Sequence, residues 1–126
     1  MDNLLDAVID VESEGKPLAK SIKGARGVMQ ITQPALTDYN RQFSTSHSLD
    51  DMYDEKLNRR VGTWYLMNRV PQLLTSFKLP VTLDNILWAY NAGIGNVSKG
   101  IKPKETVNYI DKVKSRLTPV EEKKKK

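Results

Sequence analysis

The chain has no cysteine and one histidine, His47, among its 126 residues. Without cysteine there is no disulfide framework, no thiol nucleophile and no thiolate zinc site. A single histidine leaves no set for a His-based metal centre or a Ser-His-Asp triad. Acid–base chemistry therefore falls to carboxylates, tyrosines or lysines. Strand signals are also scarce: there is no sustained apolar–polar alternation, no Asn-Gly hairpin and little clustering of β-branched residues. No run approaches the roughly 18 consecutive apolar residues of a membrane-spanning helix. The opening "MDNLLDAVID" carries acids where a signal peptide needs Lys or Arg, so no export signal is expected in it.

What remains is a globular balance of 39% apolar and 28% charged residues, enough for one domain with one core. Helical periodicity dominates. Residues 2 to 14 set Leu5, Val8, Ile9 and position 12 on one face, and Gly15 and Pro17 end that helix. Pro34 suits the first turn of a helix running to about Arg41. "FSTSHSLDDMYD" reads as a polar linker with cap residues. A long helix follows from Glu55, burying Leu57, Val61, Trp64, Tyr65 and Leu66, with a bend expected at Pro71. "TLDNILWAYNAG" is a short capped helix closed by Gly93, and "KETVNYIDKVKSRL" a last amphipathic one. The expectation is an all-α domain of about five helices over residues 1–117. Residues 118–126 form a Lys-rich tail expected to be disordered. That tail supplies +2 of the formal net charge of +5. A mildly basic surface suits an anionic wall, membrane or virion partner, or serves solubility alone. There is no phosphate loop and no aromatic–basic pattern for sequence-specific nucleic-acid binding.

One residue breaks the pattern. Glu12 shares the core-facing stripe of the first helix, whereas Glu14 lies about 200° round and faces water. A carboxyl bordered by apolar groups loses solvation of its charged form, so its pKa rises. A carboxylic acid still protonated near neutral pH can protonate a glycosidic oxygen. The plainer reading of this helix alone is a helix-end Glu paired with a lysine.

The segment "VIDVESEGKPLAKSIKGARGVMQIT" resembles the first half of the soluble lytic transglycosylase catalytic domain, a relative of goose-type lysozyme. Glu12-Ser13, Ser21 and Gly27-Val28-Met29-Gln30 follow in that family's order. Ala89-Tyr90-Asn91-Ala92-Gly93 with Gly95, and then Glu105-Thr106 with Tyr109, match two further motifs. The stretch "NRRVGTWYLMNRV" is similar to the long helix between them. The resemblance covers about residues 4 to 115. Three departures touch one cleft wall: Val28 for the commoner Leu, Thr32 for an apolar residue, and Pro34 displaced by about one position.

The resemblance implies a lysozyme-like fold around a glycan-binding cleft, with Glu12 as general acid and base. It further implies that Ser21, Gln30, Tyr90, Asn91 and Glu105 contact the substrate. The substrate would be the glycan strands of peptidoglycan, cut between N-acetylmuramic acid and N-acetylglucosamine by a monomer needing no cofactor or metal. On this reading Gly24 and Gly27 let the backbone approach a sugar chain, Gln30 offers it both donor and acceptor, Tyr90 bonds the Glu12 carboxyl and Asn91 holds an N-acetyl group. Met29, Trp64, Tyr65 and Trp88 read as core, Trp88 with sugar stacking as an alternative. Two rivals stay open. One is lysozyme-like hydrolysis, assisted by Asp38, Asp50 or Asp84. The other is a non-catalytic wall- or virion-binding module. Action at the cell wall without an export signal suggests a phage particle, a secretion machine or part of a longer exported protein.

Overall fold

The structure, a computed structural model, describes residues 2–117. Helix α1 spans Asp2–Ser13, α2 Gln33–Phe43, α3 Glu55–Trp64, α4 Val70–Ser76, α5 Leu83–Ala92, α6 Ile94–Ser98 and α7 Lys104–Leu117. A 3₁₀ turn occupies Leu49–Tyr53, and a π-helical turn, Tyr65–Arg69, joins α3 to α4. The all-α expectation holds: among the described residues there is no strand, only isolated bridges Lys20–Arg26 and Arg26–Ile31 in the loop after α1. The five expected helices are α1, α2, the α3–α4 rod, α5 and α7; the short α6 and the 3₁₀ turn add to them. The Lys-rich tail lies outside the described residues. No described helix is long and apolar enough to cross a membrane.

Local chemistry sets the helix ends. Asp54 caps α3 by accepting from the Leu57 N–H at 3.0 Å, and Thr82 caps α5 by accepting from the Asn85 N–H at 3.1 Å. Ser48 and Asp51 form a reciprocal capping box around the 3₁₀ turn. Pro34 stands in the first turn of α2, where a missing N–H costs nothing, and Gly93, at φ +90°, ends α5. The rod is not simply bent at Pro71. Pro71 has no N–H and its ring excludes the carbonyl four residues back. The chain widens just before it, and the Val70 N–H reaches the Tyr65 carbonyl, five residues back.

The core joins Ala7, Val8 and Ile9 of α1 to Tyr109, Ile110 and Val113 of α7, and to Leu87 of α5. Val61 and Leu66 of the rod and Leu36 of α2 complete it. A smaller cluster of Val70, Leu74, Ala89 and Val97 holds α4, α5 and α6 together. Between α1 and α2, the segment Val28-Met29-Gln30-Ile31 plunges into the main core. Met29 is fully buried against Gly62, where a Cβ would come within 2.4 Å of its sulfur. That confirms Met29 as a packing residue. Trp64 and Tyr65 are half-buried against the same core. Trp88 packs against both clusters and also ties α5 to the loop after α6, donating to the Ile101 carbonyl at 2.9 Å under the Lys102 ammonium.

Candidate active site

Glu12 occupies the last turn of α1, where two open cavities meet. One, of about 710 Å³, is lined by Asp10, Glu14, Lys20 and Lys112 among others. The other, of about 340 Å³, is lined by Ile22, Ala25, Tyr90, Asn91 and Glu105 among others. Glu12, Ser21 and Gln30 border both, so the two cavities form one groove passing the Glu12 carboxyl. All six site residues expected from the sequence therefore line this groove. Glu14 also touches it but is exposed, in a left-handed conformation (φ +55°), and paired with Lys16 at 3.4 Å.

Burial pushes the Glu12 carboxyl up and an interaction with the Tyr109 hydroxyl pulls it part of the way back, the net result being a rise from 4.5 to about 7. Tyr90 and Tyr109 are themselves shifted well above the ordinary tyrosine range, by burial first and then by the Glu12 charge, so both are neutral phenols. The other carboxylates on the groove are exposed and ion-paired: Glu14 with Lys16, Asp10 with Arg116 and Glu105 with Lys23 at 3.8 Å. Asp38, Asp50 and Asp84 do not line it. They pair with Arg69 and Arg41, with Arg26, and with Lys114.

Three side-chain roles differ from expectation. The Tyr90 hydroxyl donates to the Met29 carbonyl at 2.7 Å, not to Glu12, and so pins α5 to the buried segment. The phenol facing Glu12 is Tyr109, whose hydroxyl is buried and makes no hydrogen bond of ordinary geometry. Gln30 cannot offer both donor and acceptor. Its amide nitrogen donates to the Gly27 carbonyl at 2.9 Å and the Ala19 carbonyl at 3.2 Å, which leaves its oxygen as the free acceptor. These bonds also hold Gln30 at φ +52°. Gly27 does not make room for a sugar. A Cβ there would fall 2.2 Å from the Asn58 amide nitrogen and 2.3 Å from the Met52 carbonyl oxygen, so its smallness serves the protein interior.

Ser21 accepts from the Ala25 N–H at 3.0 Å, which shapes the loop and leaves its hydroxyl hydrogen free. Asn91 accepts from the buried Thr106 hydroxyl at 2.8 Å, so its amide N–H groups are the free face. Sequence reasoning passed over Thr106, Tyr109, Ser13 and Asn58 as site residues. The first three lie inside the quoted motifs, which was the available signal. Ser13 is buried and donates to the Val28 carbonyl at 2.8 Å, locking the Glu12 turn to the buried segment. Asn58 had no local signal.

Tyr109→Phe removes the interaction that lowers the Glu12 pKa, so the Glu12 titration is expected to move above about 7. Carboxyl carbon shifts followed by NMR against pH measure it. A midpoint that stays put or falls would place the phenol's proton elsewhere.

The model of the Transglycosylase SLT domain family matches residues 1–112. The Membrane-bound lytic murein transglycosylase E of Buchnera aphidicola subsp. Acyrthosiphon pisum is 29% identical over 115 residues, 87% of this chain and 52% of that protein. The Membrane-bound lytic murein transglycosylase F of Shewanella frigidimarina is 30% identical over 86 residues, 68% of this chain and 16% of that one. The crystal structure of the Escherichia coli 70 kDa soluble lytic transglycosylase SLT70 superposes with a TM-score of 0.75 at 28% identity, covering 92% of this chain and 21% of that one. An all-α fold of lysozyme-like architecture, grooved past a shielded carboxyl, is thus matched in sequence and in structure. The chain belongs to the Transglycosylase SLT domain family, as its three motifs implied. It spans about half the length of the Buchnera relative and about a fifth of the E. coli chain.

Proposed function

We propose that this domain cleaves the β-1,4 bond between N-acetylmuramic acid and N-acetylglucosamine in bacterial peptidoglycan, with formation of a 1,6-anhydro end. The observation that carries this reading is the Glu12 carboxyl, raised to about 7 by burial in mid-groove, where every other carboxylate is exposed and paired. Such an acid is still protonated in a large share of molecules at neutral pH and can pass its proton to the glycosidic oxygen as the bond to the muramic C1 breaks. A retaining hydrolase needs a second carboxylate, about 5 Å away, as nucleophile on the opposite ring face. The sugar can supply its own: the C6 hydroxyl adds to C1, and Glu12, now ionised, takes that hydroxyl's proton. The enzyme returns to its starting state, and the reaction as written needs neither cofactor nor metal. The Asn91 amide donors suit an N-acetyl carbonyl, and the Gln30 oxygen suits a sugar hydroxyl or N-acetyl N–H. The relatives' names, which specify murein, support the substrate and an action at the cell wall.

Mass spectrometry of the fragments released from purified sacculi tests the reading. Anhydro ends are lighter than hydrolysed ends by one water. Fragments with the extra water would make the domain a lysozyme-like hydrolase. Binding without any fragments would make it a carbohydrate-binding module.

A further inference from the structure

Among the described residues, the two most exposed large apolar side chains stand in one loop, the one after α1: Leu18 at 76% and Ile22 fully exposed. Neither belongs to a core cluster. Each sits in the middle of a turn. The Ala19 N–H closes the first turn on the Lys16 carbonyl at 3.2 Å, and the Gly24 N–H closes the second on the Ser21 carbonyl at 2.9 Å. Turn centres favour glycine, proline, asparagine, aspartate or serine. A leucine and an isoleucine there leave apolar surface in water. The loop is not loose at its base. The Gly27 N–H donates to the Ala19 carbonyl at 2.8 Å and the Ser21 N–H to the Ala25 carbonyl at 3.0 Å, so both turns are held out on a bonded frame.

The residues beside these two tips are cationic. Lys16, Lys20 and Lys23 are all exposed, and the sequence has no acid from Gly15 to Thr37. Glu14 lies 3.4 Å from Lys16 and Glu105 lies 3.8 Å from Lys23, but both pairs are exposed and such pairs contribute little. Aliphatic tips among lysines do not suit a protein partner, because interface centres are rich in Tyr, Trp and Arg and poor in Lys. An anionic polymer would satisfy the lysines and leave the aliphatic groups in water. An anionic bilayer takes both. Apolar side chains enter the boundary between headgroups and acyl chains, and lysine stems lie along it with their ammonium groups among the phosphates.

We propose that the loop of residues 15–25 docks on an anionic phospholipid bilayer, with Leu18 and Ile22 entering the headgroup region and Lys16, Lys20 and Lys23 meeting lipid phosphates. Ile22 also lines the Tyr90 side of the groove, so docking sets the rim of the groove at the membrane surface. Docking stands whether or not the groove cleaves glycan. Two aliphatic side chains and a few lysines give shallow, reversible attachment and not a permanent anchor.

Co-sedimentation of the full chain with vesicles of phosphatidylcholine, with and without phosphatidylglycerol, tests it. Binding is expected to the mixed vesicles and not to phosphatidylcholine alone. Leu18→Ser with Ile22→Ser should lower the partition constant about tenfold, as expected when two partly buried aliphatic side chains are lost. Lys20→Gln should cost about a further fivefold at low salt. The Lys-rich tail attracts the same vesicles, but every variant carries it, so these ratios read the loop. Unchanged melting temperatures show that the variants are folded. Insertion is read separately with Ile22→Trp, whose added fluorescence should be quenched by brominated lipid. Phe77→Trp, which replaces an exposed apolar residue at the end of α4, should show no such quenching. Vesicle binding that survives the serine substitutions undiminished, or quenching at position 77 and not at position 22, overturns the proposal. So does equal binding to vesicles with and without the anionic lipid.

Discussion

Glu12→Gln is expected to lower the rate of bond cleavage by at least about 100-fold, as removal of a general acid does, while leaving glycan binding in place. Glu14→Gln, two residues on, should stay near the unsubstituted rate, because Glu14 is exposed and paired with Lys16. Comparable losses in both would mean that the shielded carboxyl is not the acid. The same substitution has a second, independent signature. Glu12 binds its proton more tightly folded, at about 7, than its ordinary value of 4.5. A carboxyl with a raised pKa makes the folded state bind more protons than the unfolded one, so its contribution to stability falls as pH rises from about 4.5 and is fully lost above about 7. Glutamine cannot ionise. Glu12→Gln should therefore melt higher than the unsubstituted protein at pH 8 and close to it at pH 4. An inactive variant that is also less stable at pH 8 would owe its inactivity to damage and not to lost chemistry.

Much of this site was legible before any coordinates, because it rests on helical geometry and local capping. Position 12 falls on the buried stripe of α1 by its spacing from Leu5, Val8 and Ile9, and the pKa shift follows from that placement. Pro34 and Gly93 mark helix boundaries through backbone constraints that act within a few residues. What stayed hidden depends on partners far apart in sequence. Gly27 looked like a glycine for a ligand because its true neighbours, Met52 and Asn58, are 25 or more residues away. Tyr90 and Tyr109 could each have faced Glu12. Only the packing of α5 and α7 decides that Tyr90 gives its proton to Met29 and that Tyr109 interacts with the acid. The π turn arises from Pro71, but a proline alone does not say whether a helix kinks or widens.

Asn58 was the least legible of these residues, and its loss is expected to be the most damaging to the fold. It is fully buried in α3. Its amide nitrogen donates to the Arg26 and Met52 carbonyls, both at 2.8 Å, and its oxygen accepts from the Met29 N–H at 2.9 Å. One side chain thus bonds two backbone groups of the segment that carries Gln30 and receives Ser13 and Tyr90, and a third, the Met52 carbonyl, in the 3₁₀ turn. Asn58→Ala would strand the Met29 N–H and the Met52 carbonyl, whereas the Arg26 carbonyl also accepts from the Ile31 N–H at 2.9 Å. An unsatisfied buried polar group costs about 1–3 kcal/mol, and entry of water would recover part of the sum, so a loss of about 3 kcal/mol is expected. For a domain of this size that lowers Tm by roughly 10 °C or more. Asn58→Asp separates hydrogen bonding from volume. An ionised aspartate keeps the acceptor for Met29 but turns an oxygen toward two carbonyls, so it should be at least as destabilising at pH 8. Burial would raise its folded pKa, and stability should then recover as pH falls and the carboxyl regains an O–H donor. Urea unfolding at pH 5 and pH 8, with equal m-values as the check on two-state behaviour, measures both variants. A loss below about 1 kcal/mol for Asn58→Ala, or an Asp variant with no pH-dependent recovery, would show that the Met29 N–H and the Met52 carbonyl find other partners and that Asn58 does not anchor the cleft wall.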